Sequence, residues 1–372
     1  LADAKFFWET DAIQPLSART KALENVLFHH ALGSLAGKTR RIEKLSAKIA
    51  QAVGAPAAAC VRAASLCKAD LVSGMVGEFP DLQGIMGRYL ARHDGEPAAV
   101  ARAIEEHYLP RYAGGALPQS PAGQVLALAD RLDSLVGLFI AGEEPTGEKD
   151  PYGLRRAALG VIRILVEKKL DLNVAALVED AADGYASDGL VSGESAKSQC
   201  ATFILERYRA LYTTLGFAQD EISAVLEAGA SRPLDFDRRL KAVSRFRPHR
   251  DAPSLAAANK RIRNILRKSE ESIPAQIDAQ QLTESAEIAL SQAILKTAGA
   301  IAPAIAKGDY AAALRTLAGL RPVVDGFFDE VMVMSPDRAV RTNRLALLGQ
   351  LNQLFLGIAD ISLLQTLETG DG

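Results

Sequence analysis

Apolar residues recur along most of this chain three and four positions apart, the period of an amphipathic helix, and almost nowhere in strict alternation. The pattern predicts helices over about 15–32, 38–53, 56–75, 81–92, 97–108, 120–141, 151–168, 195–215, 233–246, 253–268, 283–306, 308–332 and 336–364. The punctuation agrees. Ser335-Pro336-Asp337 sets a cap, an N1 proline and an early acid before the last long helix, and Pro253-Ser254 prepares LAAANKRIRNILRK in the same way. No alternating run with a hairpin turn stands out. The first dozen residues, which hold Phe6, Phe7 and Trp8, are the one stretch expected to pair as a strand, with something outside this sequence. The expected fold class is all-α, in several helical domains. Two seams rich in Gly, Pro and polar residues interrupt the pattern, AGEEPTGEKDPYG at 141–153 and ADGYASDGLVSGES at 182–195.

Composition sharpens this picture. Of 372 residues 48% are apolar, mostly Ala and Leu, and only 6% are aromatic, which favours helices packed closely through small side chains. Cys60, Cys67 and Cys200 form no C-x-x-C pair and give no disulfide framework, so buried free thiols in a reducing cytoplasm are expected. Unbroken apolar runs such as LVGLFIAG fall short of the roughly 18 residues of a membrane span, and no signal peptide is visible. The sequence starts at Leu1 and reads as a portion of something longer.

The layout of carboxylates suggests one chemistry. Asp70 ends a small-residue helix, and Asp130 and Asp133 follow in LALADRLDSLVG, the arrangement of HD-type metal phosphohydrolases. Such a site gathers several imidazoles and carboxylates from different helices around a divalent ion. His29 or His30 could supply one imidazole, but the position before Asp70 that should be His is Ala69, with Lys68 beside it. One imidazole and two carboxylates make a poor transition-metal site, so no metal is expected, and capping or pairing within a bundle is the plainer reading of Asp70 and Asp130. His93, His107 and His249 are expected at the surface or in packing, and no phosphate-binding glycine loop or nucleophile elbow is present.

Basic clusters carry more. Residues 232–268 hold twelve Lys/Arg against three acids, a local +9 in a chain of net charge -2. Within them Lys260, Arg263, Asn264 and Arg267 are expected on one helical stripe. Lys38, Arg41 and Lys44 form a second cluster. Arg155, Arg156 and Arg163 form a third at a helix start, where the dipole favours an anion. Arg338, Arg341 and Arg344 head the last helix. Solvated helix faces are often basic, but four clusters in a near-neutral chain favour a polyanion. Their discontinuous layout suits a shaped RNA better than DNA.

Longer stretches carry a resemblance: DAKFFWETD, LVSGMVGEFPDLQGIMGRYLARHDGE, AIEEHYLPRYAG, LALADRLDSLVGLF, PTGEKDPYGLRRAALGVIRIL, SLAAANKRIRNIL and VDGFFDEVMVMSPDRAVRTNRLALL. In this order the chain resembles the C-terminal part of the β subunit family of bacterial α2β2 glycyl-tRNA synthetases. The resemblance implies a remnant of a preceding domain at 1–14, an HD-like domain at 15–182, a helical body at 183–252 and a DALR-type anticodon-binding domain at 253–372. It implies glycine tRNA and the synthetase α subunit as partners, with no membrane or DNA, and aminoacylation with ATP and Mg on the α subunit, so no cofactor here. By domain position, Lys38, Arg41, Arg155 and Arg156 would meet the acceptor arm, and Lys260, Arg263, Asn264 and Arg341 the anticodon arm. His29, Ala69, Asp70 and Asp130 would be degenerate HD positions. A working HD-type phosphohydrolase and a purely structural arm that holds the α subunit stay open as alternatives.

Overall fold

The computed structural model describes residues 2–190, 193–269 and 271–365, and it is helical nearly throughout. The described residues contain one small sheet, the antiparallel pair Leu27–His29 and Gly33–Ser34. The chain forms two compact units, one from residues 1–208 with 232–234, the other from 209–231 with 235–372. The stretch 183–252 contributes to both.

The first unit is built around the helix Pro121–Ile140. Ser120 caps it by accepting the Gly123 amide at 3.0 Å, and Pro121 starts it at N1. Val125, Leu126, Leu128, Leu132, Leu135 and Val136 bury it on all sides, as befits a central helix. Against it pack Leu35–Val53, Ala57–Leu66, Ala98–Glu106, Leu154–Glu167, Val174–Ser187 and Glu194–Leu205. Close approach depends on small residues. A Cβ on Gly137 would stand 2.0 Å from the Tyr185 hydroxyl.

Several expectations are corrected here. The N-terminal segment is the helix Ala2–Asp11, not a strand, and Ala4, Phe7 and Trp8 pack on Met75, Val76 and Met86. Its last residue holds the next element: the Asp11 carboxylate accepts the amides of Gly74 and Met75 at 2.9 and 2.8 Å, at the start of Gly74–Glu78. The expected 15–32 helix is only Leu16–Arg19 and a 3-10 turn, because Gly33, at φ 86°, closes the hairpin. The 56–75 helix stops at Leu66, and the 308–332 helix divides into Tyr310–Ala318 and Arg321–Glu330. The helices Val174–Ser187, which runs into the 182–195 seam, and Gln219–Glu227 were not expected either. Residues 191 and 192 of that seam lie outside the described residues.

In the second unit Ala252–Lys268, Ser285–Ala306, Tyr310–Ala318, Arg321–Glu330 and Arg338–Leu356 enclose Leu255, Ile262, Leu290, Ile294, Phe327, Leu348 and Phe355. Ser285–Ala306 is long and apolar enough to cross a membrane by length and composition alone. Here it packs as a bundle helix, and its buried Glu287 pairs with Arg344.

Candidate functional site

Of the degenerate HD positions, Asp70 and Asp130 both act on the buried Lys68 and Tyr108, whereas His29 lies with His30 and Glu143. Ala69 is packed in the core, and Asp70, also fully buried, faces the helix Ile85–His93. Its Oδ2 accepts the amides of Gly84 and Gly87 at 2.6 and 3.1 Å, so the carboxylate caps that helix. Burial raises the Asp70 pKa, opposed by those two amides. His29 sits elsewhere, with its Nε2 3.6 Å from Glu143 and its ring against His30.

Asp130 anchors a lysine network. The Lys68 ammonium donates to Asp130 Oδ2 at 2.9 Å and to His107 Nε2 at 2.9 Å, above the Tyr108 ring. His107 Nδ1 donates to the Ile104 carbonyl, which fixes the neutral tautomer with its lone pair toward Lys68. Burial and the neighbouring ammonium hold the His107 pKa well below its usual range. A second ammonium, Lys38, lies 3.1 Å from Asp130 Oδ1 and donates to Asp133 Oδ2 at 3.0 Å and to Ser134 Oγ at 2.7 Å. Burial alone would raise the Asp130 pKa, but Lys68 and Lys38 outweigh it and keep the carboxyl well below its ordinary range. Where an HD hydrolase would gather ligands on a metal, this chain has placed two lysines on the carboxylate. That donor set does not fit a metal ion.

The acceptor-arm assignment of Lys38 and Arg41 is corrected by the same geometry, since each is only 3% exposed. Arg41 donates to Asp133 at 2.8 Å and to Asp188 at 2.9 Å and lies over the Tyr185 ring. Neither has charge to spare for a phosphate. Arg155 is half-buried and donates to the Gly147 carbonyl at 2.6 Å. The Asp150 carboxylate already accepts the Leu154 and Arg155 amides at 2.7 and 2.9 Å, filling the helix N-terminus where an anion was expected. Arg156 is exposed.

The second unit offers a surface of the opposite kind. Leu255, Ala256, Asn259 and Ile262 turn one side of Ala252–Lys268 into the core. On the other side, a cavity of about 820 Å³ is lined by Arg247, His249, Arg250, Lys260 and 362–365. A second cavity, about 610 Å³, is lined by Lys260, Arg261, Asn264, Lys268 and 331–334. Ala257 and Lys260 line both, so the two form one groove along the helix. Met332 and Met334 are exposed at its wall. Among the described residues Lys260, Arg261, Arg267 and Lys268 have no carboxylate partner, and Arg250 only brushes Asp251 at 3.5 Å.

The expected stripe was rotated by one position. Arg263 points to the far side and pairs with Asp360, while Arg261, which lies over the Phe328 ring, takes its place in the groove. The signal was present: 257, 260, 261, 264, 265 and 268 follow the helical period on the side opposite 255, 259 and 262. Arg341 is half-buried, donating to Glu271 at 3.1 Å and to the Ser335 carbonyl at 2.6 Å, and Arg344 is buried with Glu287. Of the anticodon-arm candidates, only Lys260 and Asn264 line this groove.

The first unit thus holds a buried, lysine-neutralised carboxylate, and the second an open cationic groove. The family model described as glycyl-tRNA synthetase beta subunit matches residues 1–227. The chain belongs to that family. A second model, the DALR anticodon binding domain, matches residues 255–367, which include most of the groove. The glycine–tRNA ligase beta subunit of Aeromonas hydrophila is 49% identical over 365 residues, which is 98% of this chain and 53% of that protein. The corresponding subunits of Tolumonas auensis and Edwardsiella ictaluri are 48% and 49% identical over the same length. The chain thus spans about half the length of the curated glycyl-tRNA synthetase β subunits it matches.

Proposed function

We propose that this chain is the tRNA-recognising, non-catalytic portion of a glycyl-tRNA synthetase β subunit, and that the groove along Ala252–Lys268 receives the anticodon arm of glycine tRNA. The observation that carries the reading is the groove itself. Arg250, Lys260, Arg261, Arg267 and Lys268 put cations on one helix and its approach, with little or no carboxylate compensation among the described residues, in a chain of net charge -2. Cations on phosphates supply affinity, and Asn264 and the exposed methionines offer a base-edge contact and an apolar rest for unstacked bases. ATP, Mg and the aminoacylation chemistry belong in this reading to the α subunit, the protein partner, in the cytoplasm. The first unit serves as a rigid, non-catalytic body, with exposed Arg156 as its remaining candidate for the acceptor arm.

The test is an anisotropy titration of the chain with glycine tRNA and with a non-cognate tRNA at two salt concentrations. Salt-sensitive binding with a cognate preference is expected. Equal, salt-insensitive binding of both RNAs would remove the groove from recognition and favour a structural arm.

A further inference from the structure

Away from the lysine-filled centre, one other group of ligand-type side chains converges in the first unit. His29 ends the strand Leu27–His29, His30 follows in the turn, and Glu143 leaves the C-terminus of Pro121–Ile140. One ligand atom of each lies within 4.8 Å of those of the other two.

The backbone fixes two of the three from both sides. Gly142, at φ 75°, ends the helix in the left-handed conformation, and the Glu143 amide then donates to the Leu138 carbonyl at 2.9 Å. Across from it, the Leu32 amide donates to the His29 carbonyl at 3.0 Å and closes the hairpin turn. The His29 ring is 5% exposed and rests on His30 and against the edge of Tyr152. Its Nε2 is buried without a hydrogen-bond partner among the described residues and is aimed at Glu143 Oε1, 3.6 Å away. That distance is too long for a hydrogen bond and close to the spacing of two ligands on one ion.

We propose that His29, His30 and Glu143 bind a zinc-class divalent cation, with water in the fourth position. Two imidazoles and a carboxylate select zinc and its neighbours over magnesium or calcium, which prefer oxygen throughout. With metal–nitrogen bonds of about 2.0–2.1 Å, tetrahedral ligands stand roughly 3.3 Å apart. The His29–Glu143 pair is already near that spacing. His30, exposed, and Glu143, half-buried, can close the remainder by turning their side chains. The Ala31 amide donates to His29 Nδ1 at 3.2 Å, which places the imidazole proton on Nε2. For Nε2 to take the metal, its proton shifts to Nδ1, which gives up its contact with the Ala31 amide. The ion joins the hairpin to the end of the central helix.

The probe is cobalt(II) alone, titrated into the whole chain and followed by visible absorption, with metal content measured after dialysis. One cobalt per chain with tetrahedral bands, displaced by zinc, is expected. His30→Gln and Glu143→Gln should each weaken binding by at least about tenfold. Both residues are accessible, so circular dichroism can establish that each variant is folded. Absence of saturable cobalt binding, or equal binding in the wild type and both variants, would overturn the proposal.

Discussion

Removing Lys260 and Lys268 together should change how binding responds to salt, not only how tight it is. Among the described residues, Arg250, Lys260, Arg261 and Lys268 line the groove and Arg267 flanks it against Asn264, five cations with little or no carboxylate compensation. If each neutralises one phosphate, the slope of log K against log salt is about -3.5 with single-strand behaviour and about -4.5 with duplex behaviour. Between 50 and 200 mM salt, affinity then falls by about 100- to 500-fold. Lys260→Ala with Lys268→Ala leaves three cations, and the slope should drop to about -2.1 to -2.7. At about 0.15 M salt each lost contact is worth roughly four- to fivefold, so the double variant should bind about 15- to 30-fold more weakly, or ~1.6–2 kcal/mol. Both side chains lie on the solvent side of Ala252–Lys268, so the fold should be unaffected. The assay is anisotropy with labelled glycine tRNA at four salt concentrations. A double variant with the wild-type slope would refute the reasoning, even if its affinity had fallen.

The buried network yields further expectations. Lys68→Met should cost about 3 kcal/mol by leaving the Asp130 carboxylate with one ammonium, and adding Asp130→Asn should recover more than half; a double variant less stable than the single in urea would contradict the pairing. His107 is neutral in the fold and its pKa is lowered, so the unfolded chain binds more protons below about pH 6.5. Stability should therefore fall as pH drops below about 6.5, by up to ~1.4 kcal/mol per pH unit from this group, and His107→Gln should flatten the profile. Gly137→Ala should cost about 3 kcal/mol, because its Cβ would meet the Tyr185 hydroxyl that donates to the Asp133 carbonyl at 2.8 Å. Tyr185→Phe should make the glycine change less costly, and thermal melts of the two singles and the double decide it.

Much of the helical skeleton was legible because its signals are local. Ser120-Pro121 announces a helix start in sequence and acts as its cap in the fold, while the last helix is capped by Asp337 rather than by the expected Ser335, two residues earlier. The hairpin was not legible, since strands of three and two residues are too short to alternate. The N-terminal aromatics suggested a strand, although Ala4, Phe7 and Trp8 already stood at helical spacing. The larger loss concerns charge. Lys38 and Arg41 look solvated in sequence because Asp133 lies more than ninety positions away, and Asp360 is 97 positions from Arg263. A charge count sees cations but not the distant carboxylates that consume them. Helical phase could have identified the groove, because the inward residues of Ala252–Lys268 fix which cations face out.

The ammonium of Lys68 is tethered to the chain, and that distinguishes it from a metal ion. A metal at Asp130 would come and go with its supply, would answer to chelators, and could serve as a sensor. A lysine on a buried carboxylate has no dissociation constant and no off-rate, and is present as soon as the chain folds. At this carboxylate, therefore, constancy replaces responsiveness: the charge around Asp130 is the same in metal-starved and metal-replete cells.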